Sequence, residues 1–343
     1  MKVLFASILV LVGSCASLRH SEKIEQLKNN IEFKDENVVQ RYLNTITVPD
    51  IKSHVLEISD DKYEGRKTGE NGHNEVCKYL INYYKDLQLS APAAFPDYKQ
   101  PVPKEFLPEG LNDSQNIIAF IKGAEFPQEY VYVMAHSDHE GILDGEIYNG
   151  ADDNASGTSA VLEIAEAFKI ATDNGIRPKR SVVFLHATAE EVGLHGSRYY
   201  AEHPAFALNK TVAALNTDMI GRVDEAHKAD PNYIYLIGSD RISSELHFIA
   251  QKANEQFTQL DLDYTFNSER DANKYYYRSD HYNFAKHEVP VIFFFNGEHE
   301  DYTKPTDTAE KINYELLTKR TKLIFSIAWY LAYSEKKLSK GVL

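Results

Sequence analysis

Two cysteines stand in 343 residues, Cys15 and Cys77. Cys15 closes an export-like leader, which leaves Cys77 alone, so an internal disulfide is excluded and the fold must stand on its core. Long hydrophobic runs are also missing. The apolar stretch from Val3 to Val12 is far shorter than the ~20 residues that span a bilayer. Positive charge is scarce: 37 Lys and Arg face 51 Asp and Glu, a formal net charge of −14. With no clustered basic face to meet phosphates, nucleic acid is excluded as a partner. Several catalytic signatures are absent too. No G-x-S-x-G follows a strand-like run, which argues against a serine hydrolase. "GADDNASGTSA" lacks the lysine of a phosphate-binding loop, and "HEDYT" lacks the second histidine of H-E-x-x-H, while Pro305 forbids the helix that motif needs.

What is present begins with the core: 43% hydrophobic residues suffice for one large α/β domain or two small ones. The opening "MKVLFASILVLVGSCAS" has the shape of a secretory signal, with Lys2 ahead of the apolar run. Its ending, Val12-Gly13-Ser14-Cys15, resembles a bacterial lipoprotein signal in which Cys15 becomes the lipidated first residue; an ordinary signal peptide is the alternative. The expectation is an exported protein, periplasmic or on the outer membrane or cell surface of a bacterium. It would touch membrane only through a lipid anchor at Cys15. Cys77 falls in a helical pattern and reads as an inert core thiol.

Residues 1–15 read as the signal, 16–50 as a polar spacer with a first helix around Ile24, Leu27 and Ile31, 51–334 as the main domain and 335–343 as a tail. Ile51 to Leu87 is helical in pattern, broken by "EGRKTGENGH"; residues 89–114 read as loop or short edge strands. From residue 115, strand-like runs ("NIIAFIKG", "EYVYVMAH", "SVVFLHAT", "TVAALNTDMIG", "VPVIFFFNG") alternate with helical ones such as "GTSAVLEIAEAFKIA". Near-continuous apolar strands alternating with helices predict a three-layer α/β/α fold with a mostly parallel central sheet. Function then gathers at the carboxyl ends of the strands.

Those ends carry ligand chemistry. His136 and Asp138 follow one run, Glu190 and Glu191 a second, Asp218 a third, and "NGADDNASG" brings Asp152 and Asp153. Each alone has an ordinary explanation as a turn former, a helix cap or a solvated pair. Together they form a cleft of carboxylates that needs a cation or protons to hold it, and a mixture of imidazole and carboxylate suits zinc.

The segments "AHSDHEG…NGADDNASG", "TAEEVGLHGS", "NTDMIGR", "RSDHYNFAKHEVPVIFF" and "DYTKPTDT", in this order, resemble the secreted zinc aminopeptidases. That family includes the bacterial leucyl aminopeptidases and aminopeptidase Y, and is related to glutaminyl cyclases and glutamate carboxypeptidases. The resemblance covers residues 51–334 and implies the zinc-peptidase (phosphorylase/hydrolase-like) type of fold. It implies two zinc ions, with His136, Asp152, Glu191 and Asp218 as ligands, Asp152 bridging, and Asp138 orienting His136 from behind. It further implies hydrolysis of N-terminal peptide bonds by a zinc-bound hydroxide, with Glu190 as general base and Tyr302 steadying the tetrahedral intermediate. Partners would be peptides with a free N-terminus.

One position departs. The family reads D-Y-H where this chain reads Asp301-Tyr302-Thr303, and that histidine is the second metal's imidazole. A threonine hydroxyl is a poor zinc ligand by comparison. Three outcomes are open: His299 or Asp301 substitutes; one ion acts alone; or the site is inactive and the domain is a peptide-binding or scaffold lipoprotein. The region 222–280 reads as a loop that forms one wall of the substrate cleft, its tyrosines either packing on an apolar side chain or serving as core and edge residues.

Overall fold

The computed structural model describes residues 19–343. The signal-like segment and the proposed acylation point Cys15 lie outside the described residues.

An eight-stranded sheet runs through the molecule in the order β1-β2-β6-β3-β7-β10-β8-β9. Its strands are β1 (Lys99–Val102), β2 (Ser114–Ile121), β3 (Phe126–His136), β6 (Arg180–Ala187), β7 (Thr211–Thr217), β8 (Tyr233–Ile237), β9 (Asp261–Asp263) and β10 (Val291–Phe295). The four central strands, β6, β3, β7 and β10, are mutually parallel. Strands β2 and β8 join them antiparallel from either side. A separate hairpin of β4 (Gly141–Leu143) and β5 (Glu146–Tyr148) leaves the sheet after β3. All five strand-like runs singled out in the sequence lie in this sheet.

Both faces are covered, as a parallel sheet requires. Along β3, Val131, Val133 and Ala135 face one core while Tyr132 and Met134 face the other, the two-residue period of a strand. After a first helix, α1, seen over residues 19–29, the larger core packs helices α2 (Glu36–Leu43), α3 (Val48–Ile58), α4 (Asn71–Asp86), α5 (Gly157–Asp173), α7 (Ser244–Ala253) and α9 (Tyr314–Tyr333). The smaller packs α6 (His195–Glu202) and α8 (His281–Ala285). Helix α3 starts where Thr47 accepts a hydrogen bond from the Asp50 amide, with a proline in the first turn, which its missing N–H suits. Helix α9 begins likewise at Asn313, whose side chain accepts from the Leu316 amide at 3.1 Å. No helix among the described residues is long and apolar enough to cross a membrane.

Three expectations need adjusting. The segment 16–50 is more than a spacer: Ile31, Phe33, Val39, Tyr42 and Ile46 enter the main core, and Tyr42 stacks on Trp329 with ring centroids 5.5 Å apart. Residues 222–280 hold β8, α7 and β9, not only a loop wall. The five residues of β8 are all buried, but polar flanks dilute their apolar signal. The tail docks on α7, with the Leu343 amide donating to Ser244 and Ser339 bonded to Glu245. Cys77 lies inside α4 as expected, and burial pushes its thiol up to about 12.

Candidate metal centre

The parallel arrangement of β6, β3 and β7 brings their carboxyl ends to one edge, and a ligand-bearing residue emerges from each. His136 is the last residue of β3, Glu190 and Glu191 follow β6, and Asp218 follows β7. The turn after β6 is sharp, with Ala189 at φ 54°. The Glu190 amide is held by the Asp138 carboxylate at 3.3 Å, so Asp138 fixes the turn that presents both glutamates.

His136 Nε2 lies 3.2 Å from Asp218 Oδ1 and 3.3 Å from Asp153 Oδ1. Its other nitrogen, Nδ1, is 3.1 Å from the Asp138 backbone carbonyl, with the Asp138 carboxylate farther off at 3.8 Å. The orienting contact expected from the Asp138 side chain therefore comes chiefly from its backbone. That carboxylate instead accepts from Thr68 at 2.7 Å. Asp218 is steadied on its far side by Ser279, whose hydroxyl donates to Oδ2 at 2.6 Å.

The two aspartates of "GADDNASG" divide differently from expectation. Asp152, expected to bridge, turns away from the cluster: its Oδ1 accepts from the Gly221 amide at 2.6 Å and its Oδ2 lies 3.1 Å from His299 Nε2. Asp153 faces His136 and Glu191. The backbone between them is not helical, with Asp153 at φ −108°, ψ 89°, so adjacent side chains point apart. Asp307 sets this turn by accepting from the amides of both Asp152 (2.9 Å) and Asp153 (3.1 Å) through one oxygen.

The expected substitute ligands are likewise occupied. His299 pairs with Asp152, and Asp301 is bound by Arg222 at 2.8 Å, Lys311 at 2.5 Å and Thr306 at 2.7 Å. Thr303 is exposed on a left-handed turn, φ 54°, an uncommon conformation for a β-branched residue.

A residue the sequence reading passed over stands in the centre. His139, buried after β3, places Nδ1 2.6 Å from Glu191 Oε1, and its Nε2 has no hydrogen-bond partner. The ring rests on Gly150 (φ 53°), where a Cβ would meet the Asp153 carbonyl at 2.1 Å and His139 Cδ2 at 2.5 Å. Three clusters of possible ligand atoms result, each within 4.8 Å: His136–Asp153–Asp218, His139–Asp153–Glu191 and His136–Glu190–Glu191. Asp153 belongs to two of them.

The electrostatics of this donor set suit a cation. Burial pushes Glu190 well above the usual carboxylate range, with Asp218 and Glu191 adding repulsion against the relief given by His136. Burial likewise takes Glu191 up to about 8, and burial with the Glu191 charge takes Asp153 to about 6. Burial alone would depress His136, but Asp218 and Glu190 hold it well above its ordinary value. Asp152 contrasts: although burial opposes it, His299 and the Gly221 amide keep it below the ordinary value. One aspartate is already compensated by protein groups; the other is not. Like charges gathered out of water stay ionised only with a counter-charge, and this imidazole–carboxylate donor set suits zinc.

Beside the cluster opens a cleft of about 460 Å³, whose lining includes the carboxylates Asp153, Glu190, Glu191 and Asp218 together with Met219, Phe293, Phe295, Tyr275 and Tyr302. Tyr275 and Tyr277 put part of the 222–280 region in its wall, as anticipated. Tyr302 Oη accepts from Arg278 at 3.3 Å, and burial, with Asp153 next, raises its phenol.

Comparison with known proteins bears on this arrangement. The leupeptin-inactivating enzyme 1 of Streptomyces exfoliatus is 34% identical over 268 residues, covering 78% of this chain and 52% of that protein. Aminopeptidase YwaD of Bacillus subtilis is 28% identical over 233 residues, covering 65% and 46%. The chain thus spans about half the length of the curated relatives it matches. In structure it is similar to the LapA aminopeptidase of Legionella pneumophila, with a TM-score of 0.68 at 20% identity over 89% of this chain and 77% of that one. The profile of peptidase family M28 matches residues 116–328, the stretch that carries every member of the three clusters, and the chain belongs to that family.

Proposed function

We propose that the protein is a metal-dependent aminopeptidase, which removes the first residue from peptides with an unblocked N-terminus. The observation that carries the reading is the double membership of Asp153, which stands with His136 and Asp218 on one side and with Glu191 on the other. In this reading His136, Asp153 and Asp218 would hold one zinc ion, and Asp153 and Glu191 would contribute to holding a second. Bound there, divalent zinc would polarise the scissile carbonyl and acidify a water molecule.

The remaining chemistry belongs to the chain. Glu190 is buried beside His136 and outside both Asp153 clusters, so its carboxylate is free to take a proton from the attacking water and pass it to the leaving amine. Tyr302 keeps its proton, since burial raises its phenol, and donates to the oxygen on which charge develops. Arg278, bonded to Tyr302, adds a positive charge nearby. The carboxylates of the cleft favour a protonated α-amine, and Met219, Phe293 and Phe295 offer an apolar wall to the first side chain.

Zinc-reconstituted protein should hydrolyse leucine p-nitroanilide and free-amine dipeptides, should lose this activity with a chelator, and should leave N-acetylated peptides intact. Equal cleavage of acetylated peptides would sink the aminopeptidase reading. Failure to bind zinc or to turn over any peptide would favour the peptide-binding or scaffold role. The same proposal takes residues 1–15 as an export signal and Cys15 as an acylated anchor at the cell surface or in the periplasm. Labelling with radioactive palmitate, lost in Cys15→Ser, tests that part.

A further inference from the structure

We infer that His139 supplies the imidazole of the second metal position, the role that Thr303 cannot fill. The inference rests on the peptidase reading above and names the missing member of its second ligand set.

Four observations carry it. His139, Asp153 and Glu191 place ligand-type atoms within 4.8 Å of one another, and Asp153 joins this set to the His136–Asp218 set. His139 is 2% exposed, and its Nε2 is buried without a partner. Neither tautomer satisfies the ring. A proton on Nδ1 serves an ionised Glu191 and leaves Nε2 bare; a proton on Nε2 leaves that N–H without an acceptor. A cation bound by Nδ1 and Glu191 would replace the proton these two groups share. The other candidates are committed: His299 to Asp152, and Asp301 to Arg222 and Lys311, while Thr303 is exposed. The ring is also held in place. The His139 amide donates to the Arg66 carbonyl at 3.1 Å, and Gly150 leaves room for the imidazole where any side chain would collide.

The test is zinc content and zinc environment. Full-length protein, equilibrated with zinc and freed of excess, should hold two ions per chain, with X-ray absorption reporting about one imidazole per ion. His139→Gln, which keeps volume and polarity, and His139→Ala should each hold one ion. Their affinity for the second should fall by more than about 100-fold, beyond the range typical of an outer hydrogen-bond partner. Circular dichroism and thermal melting would confirm that the variants fold, and the wild-type imidazole count does not depend on them. Thr303→Ala should keep both ions. Two ions in both His139 variants would overturn the inference and leave the peptidase reading intact. One ion in wild type and variants alike would also overturn it, leaving a one-metal enzyme. No ion in the wild type would overturn the inference together with the functional reading it extends.

Discussion

Glu190→Gln separates proton transfer from metal holding. Gln has nearly the same volume as Glu, and Glu190 lies outside both of the clusters that share Asp153, so the variant should fold and keep its ions. It cannot accept the proton of the attacking water. Positioned general bases contribute about 10²–10⁴-fold, or roughly 3–5 kcal/mol of barrier. The expected result is therefore a fall in kcat of at least about 100-fold, with KM for leucine p-nitroanilide little changed. Stability should move the opposite way in metal-free protein. Glu190 is a buried carboxyl pushed up by burial and by Asp218 and Glu191, and an uncharged amide relieves that repulsion. Glu191→Gln is the contrast, since Glu191 sits in the His139–Asp153 cluster and its loss should release an ion. Stopped assays with zinc content measured on the same samples decide the matter. A Glu190→Gln enzyme that retains its zinc and works within tenfold of wild type would refute the base assignment.

The neighbouring aspartates offer a second comparison: Asp153→Asn should empty both metal positions, whereas Asp152→Asn should retain zinc and mainly lower stability by loosening His299; matching zinc contents would contradict the geometry. Arg66→Met should destabilise by about 4 kcal/mol, roughly one for each carbonyl left without its donor, since the guanidinium bonds those of Ile58, Ser137, Asn149 and Gly150; urea unfolding showing a loss below about 1 kcal/mol would count against it. Buried His186, its pKa lowered by burial to about 3, remains neutral in the fold, while the unfolded chain takes its proton near 6.5. Stability should thus drop as pH falls from about 6.5 toward 3, by up to ~1.4 kcal/mol per pH unit from this site, and His186→Gln should flatten that slope in pH-dependent melting.

Much of the architecture was legible because buried parallel strands write near-continuous apolar runs, as in "YVYVMAH" and "SVVFLHA". The rule that ligands gather at strand ends pointed to His136, Glu190, Glu191 and Asp218, and the parallel strands do bring these four to one edge, because strand direction fixes where such residues emerge. The choice between Asp152 and Asp153 was out of reach by that route. It is set by an irregular turn held by Asp307, more than 150 residues away in sequence. His139 was missed for a related reason: it follows a strand like any turn residue, and Arg66 and Gly150, which frame it, come from other parts of the chain. Asp307 itself left a signal, since "PTDT" pairs a proline turn with a carboxylate that reaches back into the site. The buried strand β8 was hidden by its polar, tyrosine-rich surroundings.

The ties on Asp301 reach beyond its exclusion as a ligand. Arg222, Lys311 and Thr306 grip one carboxylate from separate directions, and the residue they grip immediately precedes Tyr302. The cleft wall bearing the phenol is thereby clamped to the body of the protein before any peptide arrives. Ordering that wall is part of folding, so little of that entropy is left to be lost in the encounter with substrate. Such a rim is expected to act as a fixed gauge, not as a hinged flap. Selection among peptides should then occur in one kinetic step, by shape at entry, without a slow closing phase after binding.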